Sequence, residues 1–283
     1  MFERRAWEFH RELGEKYGPV VKIRGPFGDT QLFTFDPLAV HHILVKDQHI
    51  FEETSEFFVA NRLVLGIGLL STNGEHHRRQ RKLLNPAFST NNLRDMLPLF
   101  YRVAYSLRQA IASSLRDGPQ EIDAMSWFSR TSLELVGQGT IGHSFDPLVE
   151  EKSDPYGEAM KSLIPTAWPM FIFQMLLPVL DKIGSPKLLR RLLEVTPYPR
   201  LQRVREIVDV MDCKSQEIFQ EKKLALERGD EALMQQVGEG KDIMSRLLRA
   251  NMTASEEDKL PDHELLGQIS TFFLPERTRR RLY

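Results

Sequence analysis

Apolar residues recur every three or four positions through most of the chain, a spacing that predicts amphipathic helices. The longest is predicted over residues 200–228, with an apolar stripe made of Val204, Ile207, Val208, Met211, Ile218 and Phe219. Further helices are predicted over residues 2–17, 76–84, 92–116, 123–141 and 241–251, and in the segment that Asp262 caps. Most of the chain is therefore expected to be helical.

The N-terminal region contains a stretch with a different pattern. Residues 20–35 hold two β-rich runs on either side of a turn with Gly25, Pro26 and Gly28, which predicts a β-hairpin. Asp36 follows, in the position of an N-cap for the next helix. A small hairpin followed by a helical body indicates a mainly α fold. Strands and helices do not alternate, which argues against a dinucleotide-binding α/β domain.

Two apolar segments give no clear helical period. Residues 51–70 mix aromatic and aliphatic residues with two glycines, and we expect a long loop there. Residues 165–180 are strongly apolar, but three prolines limit the length of any helix.

Composition and charge exclude several classes of protein. The 283 residues carry a formal net charge of -1, which argues against a nucleic-acid partner. No apolar run is long enough to span a membrane. Cys213 is the one cysteine, so the chain forms no internal disulfide.

Positive charge is concentrated in residues 71–90, "STNGEHHRRQRKLLNPAFST". On a helix, His77 and Arg81 are one turn apart and share a face, with Leu84 and Phe88 continuing it. An imidazole and a guanidinium above an apolar base suit a carboxylate carried on an apolar body. Two other interpretations remain open here: a solvated charged face, and a phosphate or nucleic-acid patch.

The segment "GEHHRRQRKLLNPAF" resembles the C-helix signature of the cytochrome P-450 family, the heme-thiolate monooxygenases. The matching positions are Gly74, His77, Arg81, Pro86, Ala87 and Phe88. The resemblance implies a heme cofactor whose propionates bind to His77 and Arg81.

The resemblance extends over about residues 2–274. "YGPVVKIRG" and "LFTFDPLAVHHIL" are similar to the family's first sheet and B helix, residues 51–70 to its B–C loop, and "LLGQISTFF" to the start of its I helix. It implies the N-terminal part of the P-450 fold, as one incomplete domain over residues 1–283 with an unrelated tail at 275–283.

The implied activity is insertion of one oxygen atom from O2 into a small apolar substrate, with electrons from an NADPH-dependent reductase. Residues 51–70 and 165–180 would enclose the substrate, and Leu69, Leu70 and Phe273 are the candidate contacts. Intact eukaryotic relatives lie on the cytosolic face of the endoplasmic reticulum membrane.

The chain departs from the family after "ISTFF". Pro275 stands where the family's helix continues, and Glu276 and Thr278 are out of register with its proton-relay groups. The cysteine ligand loop is absent, and Cys213 lies in a charged helix without the family's glycine-rich loop. We therefore expect no metal ligand and no monooxygenase activity from these residues alone.

Two alternatives remain. One is a non-catalytic helical protein that binds an apolar ligand or a protein partner. The other is weak heme binding through His77 or another histidine. The abrupt change of sequence after residue 274 also indicates a shifted reading frame or a misassigned exon boundary.

Overall fold

The computed structural model describes residues 6–25, 28–47, 50–116, 118–148, 154–184 and 186–273. The chain forms two compact units, residues 1–53 and residues 54–283. Predicted features at Phe2, Pro26, Pro275, Glu276 and Thr278 lie outside the described residues.

The first unit contains the predicted hairpin. Helix α1 (Ala6–Tyr17) precedes strands β1 (Val20–Arg24) and β2 (Thr30–Thr34), which are antiparallel with Val20 opposite Thr34. Helix α2 (Pro37–His41) follows and continues as a π-helical turn over His42–Lys46. Asp36 Oδ1 accepts a hydrogen bond from the Ala39 amide at 2.8 Å, which confirms the predicted cap.

The regular elements of the second unit are all helices within its described residues. Its α-helices are α3 (Ser55–Leu65), α4 (Gly74–Leu84), α5 (Thr90–Asp95), α6 (Leu97–Ser114), α7 (Ala124–Val136), α8 (Pro155–Ala167), α9 (Phe171–Gln174), α10 (Leu177–Ile183), α11 (Pro186–Val195), α12 (Pro199–Arg228), α13 (Asp230–Met234), α14 (Ile243–Thr253) and α15 (Asp262–Phe273). A hairpin followed by a helical body confirms the predicted mainly α architecture. Among the described helices, none is both long and apolar enough to cross a membrane.

Helix α12 forms the centre of this unit. It packs against α8, α14 and α15, and the core includes Ile207, Met211 and Ile218 from its apolar stripe. Period-3.6 spacing thus identified the buried face of the longest helix correctly.

The predicted loop over residues 51–70 is wrong for most of its length. Residues 55–65 form α3, which Thr54 caps by accepting a hydrogen bond from the Phe57 amide at 3.4 Å. Val59 and Leu65 are buried, whereas apolar residues also lie on the exposed side, such as Leu63. Apolar residues around the whole helix hide the period that would have revealed it.

Other boundaries also differ from the prediction. The helix predicted over 92–116 is divided at Met96, because Pro98 begins a new helix in its first turn. The apolar segment 165–180 is broken into short helices, as its prolines predict. Helices α8 and α11, which flank it, were not predicted from the pattern.

A buried ion pair ties α12 to the segment before α14. Lys222 Nζ lies 3.0 Å from Asp242 Oδ2, and both side chains are almost fully buried. Nζ also donates to Gln236 Oε1 and Ser245 Oγ, at 3.1 and 3.2 Å. The charge is therefore fully compensated, as a buried ammonium requires.

We expect Lys222→Ala to lower the free energy of unfolding by about 3–5 kcal/mol, because it leaves the Asp242 carboxylate buried without its cation. Lys223, the next residue, pairs with Asp262 on the surface, so Lys223→Ala should cost under about 1 kcal/mol. Urea unfolding of the two variants measures the difference, and equal midpoints would contradict it.

Candidate functional site

Helix α4 carries the predicted cationic face. It begins at Gly74 and has Glu75 in its first turn and Arg81 in its last turn. The negative charge near the N-terminus and the positive charge near the C-terminus both interact favourably with the helix dipole. A 3₁₀ turn over Asn85–Phe88, with Pro86 at its start, ends the helix. The helix predicted over residues 76–84 is thus confirmed.

One side of α4 faces a buried carboxylate on α15. Glu264 Oε2 lies 2.6 Å from His76 Nε2 and accepts a hydrogen bond from Gln80 Nε2 at 2.9 Å. Arg79 Nη2 donates to Oε1 at 3.3 Å. Burial opposes ionisation of Glu264, but the hydrogen bonds from Gln80 and His76 and the charges of His76 and Arg79 lower its pKa below the ordinary glutamate value. The three side chains hold α4 on α15.

Two further cations of α4 pair with carboxylates at the surface. Arg78 Nη1 lies 2.7 Å from Glu75 Oε1, and Lys82 Nζ lies 2.6 Å from Asp258 Oδ2. Both are therefore already neutralised within the chain.

His77 and Arg81 have no carboxylate partner within the described part of the chain. Arg81 is exposed and His77 is half-buried. Burial and the positive charge of Arg81 lower the pKa of His77 from its ordinary value. The face thus combines a permanent cation with an imidazole that stays neutral near pH 7, in position to donate to an anion.

The predicted apolar base of this face is only partly present. Leu84 is buried in the main core at 2% exposure, because it belongs to the inward stripe of the helix. Phe88 remains accessible at 47% exposure and contacts the Phe272 ring edge-on, with centroids 6.1 Å apart. The aromatic pair is the apolar surface that remains.

The substrate-contact candidates Leu69 and Leu70 lie in a 3₁₀ turn that contacts α15. Both are half-buried and pack against the main core. The backbone before them touches α15 directly, since a Cβ at Gly267 would lie 2.7 Å from the Ile67 carbonyl carbon. The third candidate, Phe273, ends α15, and its side chain lies outside the described residues.

The structure brings together the two segments predicted to enclose a substrate. Helices α3 and α10 pack together, and Arg62 Nη2 lies 2.6 Å from Asp181 Oδ2. Several side chains of 165–180 remain exposed, among them Phe173, Leu176 and Val179.

A separate apolar cavity of about 560 Å³ lies between α6 and α7. Its lining includes Phe100, Leu135 and Ile243. It contains none of the predicted contact residues, and its lining comes from distant parts of the sequence, which no local pattern indicates.

Cys213 is exposed on α12. Within the described ranges, no three His, Cys, Asp or Glu side chains are grouped as a metal site requires.

The sequence did not reveal the buried polar residues that connect α4 to α15. Gln80, Glu264 and Gln268 are 0%, 4% and 0% exposed, although their side chains are polar. The available signal was the spacing: Glu264 and Gln268 are four residues apart, and each directly precedes a buried apolar residue, Leu265 and Ile269.

The sequence model of the family described as "Cytochrome P450" matches residues 2–274 of this chain. With the hairpin, the helical body and the α4 motif, this match shows that the chain belongs to the cytochrome P450 family.

The chain is similar to several fungal proteins. The chain is 55% identical to "Cytochrome P450 monooxygenase 91" and 49% identical to "Cytochrome P450 monooxygenase 81", both of Postia placenta. It is 43% identical to "Ganoderic acid synthetase CYP5150L8" of Ganoderma lucidum. These alignments cover 96–97% of this chain and 50% of each relative. The chain thus spans about half the length of the relatives it matches.

Acid should weaken the α4–α15 contact through Glu264. Because folding lowers the pKa of this carboxyl, its stabilising effect is present above the ordinary glutamate pKa and is lost as pH falls through the lowered value. We expect Glu264→Gln to cost about 1–3 kcal/mol at neutral pH and to flatten the decline in stability at pH values below the ordinary glutamate pKa.

Urea unfolding across that pH range is the measurement. Glu75→Gln is the matched control, because it removes one carboxylate from an exposed pair on α4. A decline as steep in Glu264→Gln as in the unmodified chain would contradict the assignment.

Proposed function

We propose that this chain forms part of a heme-dependent monooxygenase and that His77 and Arg81 bind the heme propionates. One observation carries the proposal. Within the described part of α4, His76, Arg78, Arg79 and Lys82 all contact carboxylates of the chain, whereas the two side chains at the family's motif positions do not.

The chemistry of the pair fits such an anion. The Arg81 guanidinium can donate two parallel hydrogen bonds to a carboxylate, and its charge does not depend on pH. The neutral His77 ring can donate one N–H without adding a second charge to be desolvated. Phe88 and Phe272 supply apolar surface near the end of the same helix, as an apolar ring system requires.

Heme, when bound, supplies the iron that activates molecular oxygen for insertion of one atom into the substrate. This chain contributes the propionate contacts and one wall of the substrate site. Leu69, Leu70 and helices α3 and α10 would present apolar side chains to a small apolar substrate, and an NADPH-dependent reductase would supply the electrons. The monooxygenase names of the Postia relatives support this activity class.

The thiolate ligand is a separate question from the propionates. Cys213 is the one cysteine among these 283 residues, and it is exposed to solvent on the charged helix α12. A thiolate that favours O–O cleavage needs a shielded position facing the iron. These 283 residues alone are therefore proposed to hold heme without catalysing oxygen insertion.

Arg81→Ala should weaken heme binding by at least about tenfold, because the charge-assisted hydrogen bonds from the guanidinium to a propionate are lost. Arg78→Ala is the matched control. It removes the same charge from the exposed surface of the same helix, but from an arginine that is already paired with Glu75. Heme titration followed by absorbance gives both affinities, and we expect Arg78→Ala to stay within about twofold of the unmodified chain.

Heme dimethyl ester tests the same contact from the side of the ligand. Esterification removes the propionate charges, so the ester should bind the unmodified chain at least as weakly as heme binds Arg81→Ala, in which His77 can still donate to a propionate. The difference in affinity between the two ligands should be smaller for Arg81→Ala than for the unmodified chain. Equal affinity of heme and its ester for the unmodified chain would refute the propionate assignment.

The reduced, carbon-monoxide-treated chain should show no Soret band at the position typical of thiolate-ligated heme. Cys213→Ser should leave the spectrum unchanged, because Cys213 is exposed away from any shielded ligand position. A thiolate-type band that disappears in Cys213→Ser would overturn the inference.

A further inference from the structure

A chain of side-chain hydrogen bonds connects the Leu69 backbone to Glu264. The Leu69 amide donates to Gln268 Oε1 at 3.2 Å, and Gln268 Nε2 donates to Gln80 Oε1 at 3.2 Å. Gln80 Nε2 then donates to Glu264 Oε2 at 2.9 Å. We call this sequence of bonds, all donated in one direction, the amide relay.

The relay lies in the interior rather than on the surface. Gln80 and Gln268 are both 0% exposed, so water is not available to replace a lost partner. Thr72 Oγ1 also donates to Gln80 Oε1, at 3.2 Å, and Gln80 Nε2 reaches the Ile67 carbonyl at 3.4 Å. The segment from residue 67 to residue 72 is thereby attached to two helices at once.

The segment packs closely on α15. A Cβ at Gly68 would lie 2.5 Å from both the Gly267 carbonyl oxygen and Thr271 Oγ1, so only a glycine fits at this contact. Gly66 has φ +84 and turns the chain out of α3 toward this contact. Contact of this kind fixes the distance between loop and helix, and a directional hydrogen bond is needed to fix the position along the helix axis.

We propose that Gln268 is a positioning residue that sets where the Leu69–Leu70 turn lies on α15, with Gln80 and Glu264 completing the relay. The inference rests on the proposed function only in assigning Leu69 and Leu70 to the substrate wall. The relay would act on substrate selection through the backbone, without touching the substrate itself.

Hydrogen exchange resolved to the Leu69 amide tests the relay in the full 283-residue chain without heme. In the unmodified chain this amide should exchange about as slowly as the core amides of α15. Exchange at the rate of an open loop amide would overturn the proposal, whatever any variant shows.

Gln268→Met keeps the side-chain length and removes both hydrogen-bonding groups. The Leu69 amide should then exchange at least about tenfold faster, while amides of α12 keep their rates. A uniform acceleration throughout the chain would show a general structural role and would overturn the positioning assignment.

Gln268→Glu provides the conservative variant and a pH readout. The ionised carboxylate still accepts from Leu69 but cannot donate to Gln80, whereas the protonated acid does both. Glu264, His76 and Arg79 are the ionisable groups around the relay, and the neighbouring Glu264 carboxylate and the buried setting favour the protonated form of the introduced acid. Loss of the bond to Gln80 would let the ionised side chain shift, so Leu69 protection, corrected for the intrinsic pH dependence of exchange, should be lower where the introduced acid is ionised. It should recover on acidification, at a pH above the ordinary glutamate pKa. Corrected protection that is independent of pH would contradict the relay.

Heme titration of Gln268→Met separates this inference from the proposed function. The affinity should remain within about twofold of the unmodified chain, because His76 and Arg79 still hold α4 on α15. Failure of the unmodified chain to bind heme would refute the proposed function alone, since the exchange measurements would still decide the relay. If Gln268→Met binds heme normally and its Leu69 amide exchanges at the rate of the unmodified chain, the relay alone is refuted.

Discussion

The arrangement of the candidate site depends on one buried carboxylate, Glu264 of α15. A carboxylate in the interior is costly unless cations and hydrogen bonds compensate it. His76, Arg79 and Gln80 supply them, and all three come from one face of α4. The compensation therefore dictates which side of α4 faces α15. Since each residue advances about 100° around a helix, this choice also directs His77 and Arg81 away from Glu264.

The need to compensate Glu264 also helps to explain why this dense cationic segment leaves few positive charges free to bind an external anion. The sequence gathers positive residues on α4, but most of them meet acids of the chain. Pairing with Glu264 is structural, whereas surface pairing with Glu75 or Asp258 contributes little to stability. What distinguishes His77 and Arg81 is the lack of an acid within the described residues, not the amount of charge around them. Charge density alone would have favoured Arg78 or Lys82 equally.

The sequence predicted those features of the fold that depend on local periodicity. The stripe of α12, the hairpin and the Asp36 cap follow from spacing and turn residues, and the structure confirms them. Helix α3 was missed because apolar residues surround it, so no period separates its buried side from its exposed side. The cationic pair could be proposed from its one-turn spacing and the family motif. The apolar base predicted beneath this pair is only half present, because Leu84 is buried in the core and only Phe88 remains accessible.

The buried amides could not be predicted in the same way, because their partners are distant in the sequence. Gln80 and Gln268 are 188 residues apart, and a glutamine in an amphipathic helix ordinarily indicates an exposed position. Only the folded chain shows that each satisfies the other and that Glu264 accepts the last hydrogen bond.

Attachment through the backbone has a consequence for the substrate wall proposed at Leu69 and Leu70. The relay holds the amide nitrogen of Leu69, and the Ser71 hydroxyl donates to the Gly66 carbonyl at 2.8 Å, so neither attachment uses the leucine side chains. Those side chains can change in size without removing a bond that positions the turn. A substrate wall built in this way can vary its apolar surface while the path of its backbone stays fixed. The residues that shape the wall and the residues that position it are then different, and substitutions in the two sets should have separable effects.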